Sequence, residues 1–327
     1  MSTVKYTEIP GVDKPVSRIF YGTASPSMTM GKNVNALLDE VFETGVNAFD
    51  TARGYGMAEK SLGRWLKDSG KRDQVVVLTK GCNVDLFGNK HINRKVITSE
   101  LEKSLKTLGV DYVDIYMLHR DDTAIPAGEI MEILNELQKE GKFKAFGVSN
   151  WTHQRITEAN SYAKEKGLNQ ISVSSPNFGL AEQVRDPWGG GCVTISGPQN
   201  TDAREWYTGN QLPVLAYSSL GRGFFSGRFK SYDRKEAKKI LDINAQKGYL
   251  CDENMERLKR AEILASEKGV TVPQIAMSYI FHQKFNVFAI VNVADADMMR
   301  ANIDAMELPL TEEECAWLDL RCDRAEG

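Results

Sequence analysis

The chain has 327 residues, 42% of them hydrophobic, enough apolar side chains to fill one large α/β domain or two smaller ones. Its formal net charge of −3 excludes the long-range attraction expected of a nucleic-acid binder or of a protein drawn to an anionic membrane. No apolar run approaches the ~20 residues of a membrane helix, and no basic segment followed by an apolar one opens the chain. The four His are scattered, so no metal cluster is expected. The five Cys (Cys82, Cys192, Cys251, Cys315, Cys322) show no CxxC spacing, so reduced thiols in a cytoplasmic protein are expected.

In chain order, short runs rich in β-branched and aromatic residues alternate with amphipathic stretches. RIFYG (18–22) precedes a helical pattern at 34–45, where Val34, Leu37, Leu38 and Val41 form one stripe ending at Gly45. VNAFD (46–50) runs directly into TARGYGMAEKSLGRWLK, a loop followed by a helix-like segment. VVVLTK (75–80) precedes TSELEKSLKTLG (98–109), with Thr98 as cap, Leu101, Leu105 and Leu108 on the stripe and Gly109 as stop. VDIYMLH (113–119) precedes GEIMEILNELQKEG (128–141), with Ile130, Ile133, Leu134 and Leu137, stopping at Gly141. FKAFGVSN (143–150), ISVSS (171–175), PVLAYSS (213–219) and NVFAIVN (286–292) complete eight runs. Most are apolar on both parities, which suits parallel strands covered on both faces.

Eight strand–helix units in a chain of this size predict an α/β fold, a (β/α)8 TIM barrel occupying residues 1–327 as one domain. A doubly wound open sheet would carry a Gly-rich turn after a strand, and no GxGxxG follows any of the eight. Residues 176–212 and 221–255 are predicted as long rim loops after strands six and seven. LTEEECAWLDL (310–320) reads as a short capped helix that closes the barrel or, less simply, contacts a partner.

In such a barrel the C-terminal strand ends share one rim. Successive runs end in Asp50, Lys80 and His119, and Tyr55 lies in the loop just past Asp50. Singly, the acid is a helix cap, the amine a solvated charge, the imidazole a structural histidine and the phenol a packing group. Together, at matching strand ends, they suit proton delivery to a carbonyl oxygen. A phenol has an ordinary pKa of ~10, and a neighbouring ammonium favours the phenolate and lowers it. Asp50 would hold Lys80 charged, and a neutral His119 would orient the substrate oxygen. No residue of the set is a source of electrons, so a cofactor must supply the reductant.

DTARGYGMAEKSLG, VVVLTKG, DIYMLHRDD, GVSNW and YSSLGRGFFSGRF together resemble the aldo-keto reductases, in order from Gly22 to about Leu318. The resemblance implies a barrel binding NADP(H) or NAD(H) across its rim and transferring hydride between the nicotinamide and an aldehyde, ketone or sugar carbonyl. It makes Tyr55 the general acid, tuned by Lys80 and Asp50, with His119 orienting the carbonyl. Ser149 and Asn150 would hold the carboxamide, with Ser175 in place of the family's usual Gln, and Tyr217 would stack on the nicotinamide. Ser218, Leu220, Arg222 and Arg228 would line the pyrophosphate, Gly22 and Thr23 would lie near the nicotinamide, and Asn292 and Asn302 belong to the last cofactor stretch.

That last stretch, NVADADMMRAN (292–302), departs from the family pattern. Asn292 replaces a Gly, Ala294 stands where a basic residue is frequent, and Arg300 is the one cation present and out of register. A 2′-phosphate calls for charge-assisted donors, so NADP(H) is the expected cofactor, bound less selectively than is the family norm, or with NAD(H) accepted. Trp151 and Trp188 are rim aromatics able to pack a sugar or aryl ring, or simply to pack the loops. In HRDD, Asp121 and Asp122 are expected to cap locally and to pair with Arg120. Two rival classes fit the same residues: a regulatory barrel like the potassium-channel β-subunits, and a lyase or isomerase using Lys80 as a Schiff-base amine.

Overall fold

The computed structural model describes residues 2–84 and 91–323. A hairpin comes first, β1 (Tyr6–Thr7) antiparallel to β2 (Val16–Ser17). Eight parallel strands follow: β3 (Ile19–Gly22), β4 (Ala48–Asp50), β5 (Val76–Gly81), β6 (Val113–Leu118), β7 (Phe143–Ser149), β8 (Val173–Ser175), β9 (Val214–Ala216) and β10 (Val287–Val291). They close on themselves, β10 pairing with both β3 and β9. This is the predicted (β/α)8 barrel.

Strand alternation divides the apolar side chains into two cores. Phe20, Ala48, Leu78, Met117, Leu215 and Phe288 fill the barrel interior. Residues of opposite parity face the surrounding helices, where Phe49 stacks on Trp65 of the helix Ala58–Ser69 with centroids 4.8 Å apart. That helix buries Ala58, Leu62, Trp65 and Leu66, which explains why AEKSLGRWLK follows the β4 loop at once.

The barrel floor is closed by the N-terminal hairpin. Ile9 and Val16 join the interior core, and the fully buried Asp114 pairs with Lys14 at 2.8 Å and Arg72 at 2.9 Å while accepting the Val77 N–H. The C-terminal helix Glu312–Leu318 was expected to close the barrel, and it does not. It starts from a capping box between Thr311 and Glu314 and lies against the outer helix Asp252–Lys268, whose Arg260 donates to the Trp317 carbonyl at 2.7 Å. A floor cavity of about 490 Å³, lined in part by Lys5, Arg18 and Lys284, lies at the opposite end from the C-terminal strand ends.

Two other expectations shift. The barrel helix after β5 runs Arg94–Leu108, capped by Asn93 accepting the Val96 N–H at 3.0 Å rather than by Thr98. Ile97 is buried and extends the Leu101–Leu105–Leu108 stripe backwards by one turn. Residues 176–212 are not one loop, because the helix Thr201–Asn210 occupies their end. The remaining excursion folds back on the rim, with Asn177 bridging to both Thr194 and Tyr217. Residues 221–255 likewise carry the short helices Arg234–Ile240 and Ile243–Tyr249.

At Gly147 the wall leaves no room for a side chain. A Cβ there would lie 2.4 Å from the Val173 carbonyl oxygen and 3.1 Å from Met117 Cε, and the strand backbone cannot yield. Gly147→Ala should lower unfolding free energy by ~1–3 kcal/mol, read as a lower urea midpoint at constant slope. An unchanged midpoint would show that β7 and β8 can separate freely.

Candidate active site

Register explains why the strand ends converge. Ala48, Leu78 and Met117 point into the barrel, so the residues two further along, Asp50, Lys80 and His119, share that parity and form its top layer. Asp50 is in register with Leu78 and Lys80 with Met117, so each strand carries its functional group one rung higher than the last. The same rule applied to the other strands gives Gly22, Ser149, Ser175, Tyr217 and Asn292, all five expected from the sequence to face the cofactor.

Lys80 Nζ forms a short ion pair with Asp50 Oδ1 and donates to the Thr51 carbonyl at 3.0 Å. Both partners are buried. Tyr55 is half-buried on the turn after β4, its ring centroid 5.1 Å from Lys80 Nζ and 5.5 Å from the His119 ring, which it meets edge-on. Gly56 holds that turn down: at φ +57 it passes so close to the Thr29 carbonyl that a Cβ would lie 2.8 Å from its oxygen.

Burial acts on every member of this group. It opposes charge on Lys80, but Asp50 and Tyr55 outweigh it and hold the ammonium above its ordinary range. Such an amine stays protonated, which removes the nucleophile that a Schiff-base mechanism requires. Burial pushes the Asp50 carboxyl up, with Lys80 pulling it back. It also pushes the Tyr55 phenol up, against the pull of Lys80 and, more weakly, Arg120. The sequence argument considered only the ammonium and so expected a net lowering; desolvation of the ring is the larger effect. Burial, then Lys80, then Arg120 drive the His119 imidazole well below its usual range, so it is neutral at pH 7. Its Nδ1 is buried without a hydrogen-bond partner among the described residues.

The neighbouring strand ends form a polar lattice around Asn150, which sits at φ 61. Its Nδ2 donates to the His119 carbonyl at 3.2 Å and to Ser149 Oγ at 3.0 Å. Its Oδ1 accepts from Tyr217 at 2.8 Å and from the Val193 N–H at 3.1 Å. Ser175 turns its hydroxyl into the wall, donating to the Leu215 carbonyl at 2.8 Å, so it does not reach inward as the family's Gln position implied. Thr23 Oγ1 is buried with no partner among the described residues, and Asn292 is tied to the Gly22 carbonyl at 2.9 Å. Ser218 and Leu220 are half-buried in the loop after β9, and Arg222 and Arg228 are exposed there. Arg222 Nε binds both oxygens of Asp242 at 3.0 and 2.9 Å, and Arg228 Nε meets Ser226 at 3.1 Å. Asn302 is buried in the helix Ala296–Asp304.

The two Trp exchange their expected prominence. Trp151 is fully buried under Arg155, its Nε1 on the Arg120 carbonyl at 3.4 Å. Trp188 reaches back from the 176–200 excursion to meet the Tyr217 ring edge-on at 5.9 Å, with Arg222 over its other side at 5.6 Å. Asp121 and Asp122 do not pair with Arg120. Asp121 meets Arg155 Nε at 3.4 Å, and Asp122 accepts the Ala124 N–H at 3.2 Å. Arg120 and the 186–193 turn were missed as site elements, although Arg120 directly follows His119 in the sequence.

A profile of the aldo/keto reductase family matches residues 18–320. The chain belongs to the aldo/keto reductase family. The aldo-keto reductase YhdN of Bacillus subtilis is 31% identical over 69% of this chain, an alignment spanning 65% of that protein, just under two thirds. The aldo-keto reductase yakc of Schizosaccharomyces pombe, whose name specifies NADP(+), is 24% identical over 89% of this chain and 83% of its own length. A probable voltage-gated potassium channel subunit beta of Oryza sativa is 28% identical over 91% and 90%. Family membership makes this chain an oxidoreductase built for a nicotinamide cofactor and a small carbonyl compound. No helix among the described residues of this aldo/keto reductase is long and apolar enough to cross a membrane.

Removing one member of the buried pair leaves the other charge uncompensated. Lys80→Met should destabilise the fold by ~3–5 kcal/mol, and adding Asp50→Asn should recover much of that loss in thermal melts. Equal melting of the single and double variants would mean that Asp50 does not depend on Lys80.

Proposed function

We propose that this chain interconverts the carbonyl of an aldehyde, ketone or sugar and the corresponding alcohol, with Tyr55 as general acid or base. The observation that carries the reading is a phenol lying over a buried Lys80–Asp50 ion pair and against a neutral imidazole. As negative charge grows on the carbonyl oxygen, Tyr55 gives it a proton, and the phenolate left behind faces the Lys80 ammonium. Asp50 keeps that ammonium charged. His119, neutral, offers a ring N–H to the same oxygen without competing as an acid.

The rim suits a nicotinamide dinucleotide. Thr23 and Thr51 hold buried hydroxyls with no partner among the described residues, and Gly221 and Gly223, at φ +58 and +90, shape a loop bearing two Arg. Ser149 and Asn150 would hold the carboxamide, Gly22 and Thr23 would flank it, and Tyr217 would stack on the ring. Ser218, Leu220, Arg222 and Arg228 would line the pyrophosphate. Arg222 commits only Nε to Asp242, so both its Nη groups remain for the phosphates. Asn292 and Asn302 would border the adenosine side. When bound, the nicotinamide supplies or accepts the hydride. Ser175 is left out of this set, because its hydroxyl is committed to Leu215.

Tyr55→Phe should cut turnover ~10²–10⁴-fold while dinucleotide affinity, followed by fluorescence, persists. Reduction uses protonated Tyr55, the form present below a raised pKa. Its kcat/KM should therefore stay flat through neutrality and fall only in the alkaline range. No inflection is expected at the ordinary imidazole value of ~6.5, because His119 is already neutral there. Wild-type rates in Tyr55→Phe would refute the mechanism. The similarity to a potassium channel subunit over 90% of its length supplies a regulatory barrel with little turnover as the second reading, and the same variant separates the two, since such a barrel has little turnover to lose.

We further infer that NADP(H) and NAD(H) bind with comparable affinity. Asp295 spends its carboxylate on the Met298 N–H at 2.8 Å, and Arg300 is paired with Asp297 at 2.9 Å, which leaves no unpaired cation at 292–302. Ala294 is exposed. Ala294→Arg should raise the NADPH-over-NADH affinity ratio about tenfold in parallel titrations. An unmoved ratio would place 2′-phosphate recognition elsewhere. The five unpaired cysteines suit a reducing compartment, and we infer a cytoplasmic protein.

A further inference from the structure

We propose that Arg120 is an anion-recognising group of the substrate pocket, so that the preferred carbonyl substrates carry a carboxylate or phosphate close to the reacting carbon. The proposal rests on the reductase reading above and names its substrate class.

Arg120 is 6% exposed. A buried charge normally has a counter-charge, and the sequence offers two in the adjacent acids. Neither serves. Asp121 turns to Arg155, and Asp122 caps its own turn. Among the described residues no carboxylate forms an ion pair with Arg120. Its Nη1 donates to the His119 carbonyl at 3.0 Å, and its Nε is buried without a partner.

Its surroundings place it at the reacting centre. The His119 carbonyl that receives Nη1 also receives the Asn150 amide, and the Arg120 carbonyl is fixed by Trp151. The charge of Arg120 reaches Tyr55, His119 and Tyr217. Above it passes the 186–192 turn, where a Cβ at Gly191 would lie 3.8 Å from Arg120 Cδ. Asp186 is the acid of that turn; its carboxylate feels the Arg120 charge without forming an ion-pair contact, and its oxygens accept the Trp188 N–H at 2.7 Å and the Cys192 N–H at 2.9 Å. Gly189 and Gly190 have open space where side chains would stand. The guanidinium thus lies beside His119 under a turn with little bulk, with donors to spare. An oxyanion on a substrate whose carbonyl sits at Tyr55 and His119 would take up the N–H donors that Asp186 does not reach.

The test pairs 4-carboxybenzaldehyde with benzaldehyde, and glyceraldehyde 3-phosphate with glyceraldehyde, in wild type, Arg120→Gln and Arg120→Lys. Wild type should favour the charged member of one pair at least tenfold in kcat/KM. Arg120→Gln should lose that preference at least tenfold, mainly through KM, and Arg120→Lys should keep part of it. The pair that responds identifies carboxylate or phosphate. An equal preference in wild type and Arg120→Gln overturns the proposal. So does weakened NADH binding in Arg120→Gln with the preference intact, which would assign the guanidinium to the dinucleotide. If wild type reduces none of the four, the reductase reading is at fault. Quenching of tryptophan fluorescence by benzoate and by inorganic phosphate then decides Arg120 alone: binding lost in Arg120→Gln supports the proposal, and binding retained, or absent in wild type, overturns it. Circular-dichroism melts of all three proteins establish that each is folded.

Discussion

The buried ion pair between Lys80 and Asp50 is the interaction on which the rim depends. Neither charge would survive alone at that depth, and each is kept by the other. The pair exists because two neighbouring parallel strands are staggered by one rung, so a long amine on β5 reaches down to a short acid on β4. Tyr55 then meets a fixed positive charge rather than a mobile one, and His119 is kept neutral partly by that same charge. One element of strand register thereby sets the protonation states of four side chains.

Much of this was legible in the sequence. The eight apolar runs, their glycine stops and the placement of Asp50, Lys80 and His119 at matching run ends followed from period and spacing, because a parallel barrel forces both. The same parity rule brings Gly22, Ser149, Ser175, Tyr217 and Asn292 into the top layer. Position within the layer does not, however, fix direction. The Ser175 hydroxyl turns into the wall because the Leu215 carbonyl on the next strand lies within reach.

What the sequence hid was long-range. The floor is closed by a hairpin of two-residue strands, too short to carry a period. Asp121 sits next to Arg120 in the chain, yet it pairs with Arg155, on a helix three elements later. Trp188 precedes three glycines in what reads as a slack loop, and it ends on the Tyr217 ring because Asn177 bridges the returning strand to the rim. The net effect of burial on Tyr55 was equally hidden, since desolvation depends on how the rim packs around the ring.

Asn150 has a consequence of its own. A primary amide has two N–H donors and two acceptor positions, and here all four are taken: by the His119 carbonyl, Ser149, Tyr217 and the Val193 N–H. Any molecule that bonds to this amide must therefore displace a partner. Three of those partners belong to the strand end bearing His119, the strand end bearing Tyr217 and the excursion that carries Trp188, so any displacement beyond the neighbouring Ser149 loosens one of them. The side chain acts as a switchboard with no spare line.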